Sequence, residues 1–401
     1  MTSVQKNRLG IVVAVLMLLC AMMTSATAQT QGERQVKQPS LGDGSMQSRL
    51  AALEEYYQYP PGSQAIDSSF WDYLHPWNVE TQPRPMISEE TLNQIAGLRL
   101  AGVGQEEIAN WLKSQLRTAP FYQFEMSKTI LTGTNDQLQA RLLITPASSS
   151  DPIPVIHVTG AEMIGDNVFG SPNLGNVPYS CDSAGQACTF RWQSPAADKK
   201  YWGALTLRVT FTVDGSGDSF VVGQDFYSSP IVAGKFTGTF QERLENGSLV
   251  VDAGVDVLKR MACFVGANLY SAGNGTPLQH VERRMLVDPS MKTISLTFFG
   301  KIFRDHGDQG AFRVQDLQAS CQNLPYPAEW FIDQAAHEAE WREFQKNPPA
   351  TREPRRIYFE YATHSYTTRN YALGAFSDAE WQSPEKTQIL ETFRKLAAQT
   401  K

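Results

Sequence analysis

Asp305-His306-Gly307-Asp308 sets two carboxylates and an imidazole within four residues. Such a loop could contribute to a Ca²⁺ site, which takes about six to eight oxygen ligands. No third acidic ligand stands nearby, so the run reads as a polar turn after a strand. Asp214, Ser216 and Asp218 have the spacing that opens an EF-hand loop. The Gly and closing Glu of that loop are missing, because Ser219 and Asp225 occupy their positions, and a hairpin turn accounts for the run better. His337-Glu338 begins as a zincin motif does, but Trp341 stands where the second His belongs. Ser216 lies between glycines without the G-x-S-x-G frame of a nucleophile elbow. The six histidines, His75, His157, His280, His306, His337 and His364, show no metal spacing. A Ser-His-Asp triad built from distant segments leaves no local signature, and nothing here favours one. No catalytic residue, metal or cofactor is expected.

The remaining chemistry is aromatic. Trp192, Tyr201, Trp202 and Tyr270 fall near the ends or loops of expected strands. Exposed there, Trp192, Trp202 and Tyr270 could bind a ligand by stacking on sugar faces. The competing reading is that they seal the ends of a β-sandwich, since large aromatics are mostly buried. Asn246-Gly247-Ser248 and Asn274-Gly275-Thr276 match the glycosylation acceptor pattern, but they read as turns in a chain whose leader looks bacterial.

That leader consists of Lys6 and Arg8, an apolar run from Leu9 to Met23, and Ser25-Ala26-Thr27-Ala28. The pattern predicts a signal peptide (1–28) cleaved after Ala28. The apolar run is short of the roughly 20 residues a spanning helix needs. Leu19 before Cys20 argues against a lipid-anchor motif. No second apolar segment is long enough to span a membrane, and no hydrophobic sorting tail ends the chain. A periplasmic or secreted protein is therefore expected. The cleaved chain has 373 of the 401 residues, enough for two or three domains. Loss of Lys6 and Arg8 moves the net charge from -6 to -8, which disfavours nucleic acid and anionic membrane as partners. Four cysteines remain, an even number that favours disulfides in an exported chain. Cys181–Cys188 and Cys263–Cys321 are the preferred pairs among the three possible connectivities. A zinc site is disfavoured by the C-x6-C spacing without a nearby His.

The elements that must position these residues are mainly strands. Ser248 to Val257 alternates, with Leu249, Val251, Ala253, Val255 and Val257 on one face, and predicts one buried and one wetted face. The preceding arm, from Lys235, carries Phe236, Phe240 and Leu244 on one face and is interrupted by Gly238 and Glu242. Asn246-Gly247 between the arms supplies the turn of a tight hairpin. Strands are expected near 121–131, 138–145, 153–159, 187–193, 203–213, 219–226, 262–270, 278–287, 292–303 and 311–320.

The expected organisation has six parts. A spacer and extended arm (29–87) includes a short helix from Met46 to Tyr57 and the aromatics Phe70, Trp71, Tyr73, His75 and Trp77. A helical hairpin (88–118) starts at an N-cap, Ser88, and breaks at Gly102 to Gly104. Two immunoglobulin-like antiparallel β-sandwiches follow (119–217 and 218–322). A tail (323–401) is expected to be helical over Pro327–Gln345, to carry a capping box at Ser377 to Glu380, and to end in a helix launched by Ser383-Pro384. The fold class is mainly β with helical additions. The role this suggests is binding or structural, with an envelope protein or glycan as partner. The rival is an exported hydrolase whose site is assembled from distant loops. An exposed aromatic patch would favour the former, and titratable groups converging in a pocket the latter.

Overall fold

A computed structural model describes residues 46–399 apart from 71–73, 75–82, 117–118, 127, 147, 149–150, 166–172, 196–197, 216, 334 and 347–354. The leader, most of the spacer and the aromatics Trp71, Tyr73, His75 and Trp77 lie outside the described residues. The chain is mostly strand, with seven helices among the described residues. It divides into two compact units. One is built around Trp77–Ile231; the other takes Gln29–Pro76, Val232–Pro349 and Arg356–Lys401. Helix α1 (Met46–Tyr56) and strand β1 (Ser63–Ala65) therefore belong to the second unit.

The first unit opens with β2 (Arg84–Pro85) and the hairpin of α2 (Glu89–Leu100) and α3 (Gln105–Leu116). Ser88 caps α2: its hydroxyl accepts from the Thr91 N–H at 3.1 Å, satisfying one of the four orphan donors of a helix start. Ile95, Ile108 and Leu112 close a small core between the helices. Strands β3 (Phe121–Met126), β4 (Ile130–Thr132), β5 (Gln137–Thr145), β6 (Ile156–Gly165), β7 (Asn173–Asn176), β8 (Tyr179–Cys181), β9 (Ala187–Gln193), β10 (Gly203–Val213) and β11 (Ser219–Ser229) follow. They form two five-stranded sheets, in orders β4-β11-β10-β6-β7 and β2-β3-β5-β9-β8. The period of two decides what lies between them. Leu205, Leu207, Val209, Phe211 and Val213 of β10 and Leu138, Ala140, Leu142 and Ile144 of β5 are all buried in one core. This is a β-sandwich.

In the second unit β12 (Val232–Glu245) and β13 (Ser248–Val257) form the expected hairpin. Asn246 and Gly247 sit at φ 49° and 71°, as a type I′ turn demands. Strands β14 (Met261–Ser271), β15 (Pro277–Val287) and β16 (Thr293–Phe298), helix α4 (Gly300–His306), β17 (Phe312–Gln322), helices α5 (Ala328–Ile332) and α6 (Glu338–Lys346), β18 (Arg356–Phe359), β19 (Tyr366–Thr367) and α7 (Pro384–Gln399) complete it. One nine-stranded sheet runs β1-β15-β14-β17-β18-β12-β13-β16, with β19 on β17. Its last strand, β16, reaches back to β14 and β15, so the sheet curls over its own core. Leu249, Val251, Val265, Leu269, Leu296, Phe298 and Val314 fill that core and are almost wholly inaccessible.

Several expectations change. The face of β13 read as wetted is largely covered: Ser248, Val250 and Gly254 are buried. Ser248 Oγ accepts from the Gly300 N–H at 3.0 Å, and a side chain at Gly254 would meet Thr239 Oγ1 at 2.0 Å. The strand expected over 292–303 stops at Phe298. The chain turns into α4 there because burying Ile302 and Phe303 needs a helical rise, and Gly307 at φ 74° caps it in the left-handed region. The stretch 121–131 is two strands, and β4 crosses to the other sheet, parallel to β11. A second parallel pair, β12–β18, breaks the antiparallel pattern of the other unit. Arg356–Phe359, inside the expected tail and not among the expected strands, lies mid-sheet, with Ile357, Tyr358 and Phe359 buried there. The helical stretch expected over 327–345 is two helices. Ser377 to Glu380 starts no helix: Ser377 Oγ accepts from Ala379 N–H at 3.1 Å in a local turn. The Asp214 run is the turn of the β10–β11 hairpin, inside the first unit.

Candidate binding site

The aromatics singled out in the sequence fall in different units. Trp192 and Tyr201 meet in the first, with ring centres 5.6 Å apart, and both pack on its core. Trp192 also sets its edge against Phe226 at 5.6 Å. The Tyr201 hydroxyl donates to the Leu174 carbonyl at 2.5 Å. Trp202 is half-buried beside Tyr201. Tyr270 belongs to the second unit, on β14, where its hydroxyl donates to Asp316. Burial, reinforced by that hydrogen bond, raises the Tyr270 pKa well above the phenol range. Asp316 also accepts from Asn268 at 2.9 Å, and Asn268 Oδ1 lies 2.7 Å from His280 Nδ1. This chain of polar side chains ties β15, β14 and β17 together. Asp316 sits at φ 57°, where the β14–β17 register shifts, so the irregular backbone re-aims its carboxylate.

The other candidates resolve into structural roles. Asp305 accepts from Tyr59 at 2.8 Å and Lys301 at 3.0 Å, so each of its oxygens faces a donor. Asp308 is pushed above the usual carboxylate range by burial, with His306 opposing the shift. Asp214 pairs with His157 at 2.6 Å on the exposed surface. Ser216 lies outside the described residues. No group of three or more His, Cys, Asp or Glu able to hold a metal occurs among the described residues.

An aromatic cluster lies after β17, at and just before the stretch expected to be helical over Pro327–Gln345. Tyr326 stacks on Trp330 at 5.9 Å and takes the edges of Trp341 and Phe344, each at 4.9 Å. Trp330 stacks in turn on His337 at 6.1 Å. None of these rings is buried, and no residue of α5 or α6 is. Phe331 holds α5 to the sheet, edge-on to Phe264 at 5.7 Å and beneath the Arg284 guanidinium at 5.3 Å. Arg260 donates twice to Glu329, at 2.7 and 2.9 Å, and holds that carboxyl below its usual range. Glu338 and Glu340 in the first turn of α6, Lys346 in its last, and the Glu338–Arg342 pair at 2.6 Å favour a helix that buries nothing. A cavity of about 70 Å³ opens beside the cluster, lined by Lys259, Arg260, Gln322, Tyr326 and Phe331 among others. The spacing held part of the signal: Trp341 and Phe344 are i,i+3 on α6, while Tyr326 precedes α5 and no helical period brings it to Trp330.

No family model matches the chain, and no curated protein matches it. Among solved structures it is similar to a DUF4785 family protein from Legionella pneumophila, at 12% identity over 50% of this chain and 53% of that one, with a TM-score of 0.38. It is also similar to the FN1–FN3 domains of chicken CNTN1, at 9% identity over 49% of this chain and 60% of that fragment, with a TM-score of 0.20. A marsupial T cell receptor is 7% identical over 51% of this chain and 67% of its own, with a TM-score of 0.21. The chain thus spans about half of the Legionella protein.

Proposed function

We propose that this is an exported, non-enzymatic β-sandwich protein of the bacterial envelope that binds a protein partner through the Tyr326–Trp330–Trp341–Phe344 surface. The observation that carries this reading is the aromatic cluster itself, whose rings stay partly accessible on and just before two short helices that bury no residue. Tyr, Trp and Arg gathered on one surface are the side chains that dominate protein-binding energetics. A protein fits better than a sugar. Trp330 is covered by Tyr326 on one side and His337 on another, which leaves ring edges and a small cavity for an apolar side chain in place of an open stacking face. Two disulfides suit an oxidising compartment. Among the described residues no helix is long and apolar enough to cross a membrane.

The test is site-specific crosslinking in cells. A photo-crosslinking residue at Phe344 should give one reproducible protein adduct that the same probe at Leu396, an exposed site on α7, does not. Trp341→Ala should weaken that adduct at least about tenfold, the effect of losing one hot-spot aromatic. Absence of any protein adduct at Phe344 would remove the reading.

A further inference from the structure

We infer that Cys181–Cys188 is a redox-modification site, and that its reduction by a dithiol releases the β8 edge of the first unit. The two disulfides have the same local arrangement. Each joins residues directly opposite one another on neighbouring antiparallel strands, with Cα atoms 4.0 Å apart. What differs is access. Cys263 and Cys321 are wholly buried, between strands in the interior of the nine-stranded sheet. Cys181 is exposed, as are both other residues of β8, and β8 is the last strand of its sheet. Thiol–disulfide exchange needs a thiolate to reach a sulfur, so access decides which bridge reacts.

The step balances with a dithiol as the reductant. Its thiolate attacks Cys181 Sγ, and the Cys188 sulfur leaves and takes up a proton. The second thiol then displaces the mixed disulfide, so Cys181 is freed and the reductant becomes a disulfide. Two electrons pass to the protein. Cys188 remains in the core of the sandwich, where it is fully buried. Non-covalent contacts alone then hold β8. They include its three-residue ladder on β9, the flanking bonds from the Arg191 N–H to the Pro178 carbonyl at 3.1 Å and from the Asp182 N–H to the Ala187 carbonyl at 2.9 Å, the Tyr179 hydroxyl on the Val158 carbonyl at 3.0 Å, and the Tyr179–Phe190 contact at 5.8 Å. Once β8 lifts, β9 becomes the edge and presents unpaired backbone groups to which another strand can add.

The test uses the whole protein, isolated without reductant. Dithiothreitol is added in graded amounts under native conditions, free thiols are trapped with iodoacetamide, and each cysteine is quantified by mass spectrometry. Cys181 and Cys188 should be trapped at least tenfold faster than Cys263 and Cys321. Hydrogen exchange on the same sample should show at least tenfold faster exchange in β8 and β9, with β5 unchanged. The double variant Cys181→Ser/Cys188→Ser should show the same exchange pattern without reductant. Equal trapping rates for the two pairs would overturn the inference. So would free thiols at 181 and 188 before reductant is added, fast trapping with β9 still protected, or loss of protection throughout the first unit.

Discussion

The Tyr371 hydroxyl donates to Glu242 Oε1 at 3.1 Å, joining residues 129 positions apart. Glu242 sits on β12 with its side chain only 9% exposed. Arg369 reaches the same oxygen through its backbone N–H at 3.1 Å, and Phe240 stacks on Tyr366 at 5.2 Å. One carboxylate thus gathers the segment after β18 onto the hairpin. Tyr371→Phe should cost about 1 kcal/mol, the net worth of one hydrogen bond. Glu242→Ala should cost more, because it strands several donors at once. Urea midpoints of the two variants, with unchanged m-values, check the order.

Ser383 accepts from the Lys386 N–H at 3.0 Å and caps α7, which pairs with α1 through Arg394 and Glu54 at 2.8 Å. Ser383→Ala should cost about 1 kcal/mol. Faster hydrogen exchange in the first turn of α7, with β14 unaffected, is the expected signature.

Phe303 is fully buried, stacked on Phe376 at 4.0 Å and 4.9 Å from Phe312. Phe303→Ala leaves a cavity that these rings cannot close. The expected loss is about 3–5 kcal/mol. Thermal unfolding should reveal it as a large fall in Tm of the second unit.

Gly247 occupies φ 71°, and a Cβ there would lie 2.5 Å from Ser377 Cβ. Gly247→Ala therefore combines backbone strain with a clash and should cost more than about 1 kcal/mol. Asn246→Gly, which keeps the turn, should cost far less. Comparing their denaturation midpoints separates turn geometry from side-chain loss.

Asp308 carries an acid-dependence of definite sign. Burial raises its folded-state pKa, so the folded chain holds this proton more tightly than the unfolded chain does. Its contribution to stability is present below the unfolded pKa and is lost as pH rises through the folded pKa. Asp308→Asn should therefore stabilise the protein at about pH 7 and change little at about pH 3, below the unfolded carboxyl range. Urea midpoints at those two pH values measure the difference.

Local pattern determined most of the elements. The alternation of Leu205 to Val213 fixed β10 residue for residue, Asn246-Gly247 fixed the hairpin, and Ser88 and Ser383 fixed two helix starts, since each signal acts within a few residues. The two disulfide pairs were also legible from cysteine number and the strands around them. Only tertiary packing decided the rest. Val250 and Gly254 look like an outward face until folding buries both, with Thr239 set against Gly254. Ile302 and Phe303 fit a strand until the core asks for a helix, and Ile357 to Phe359 gain strand form from β17 and β12 on either side. The aromatic surface was hidden for the same reason. Tyr326, Trp330, Trp341 and Phe344 have core composition, and only the folded chain leaves their rings partly accessible in place of burying them.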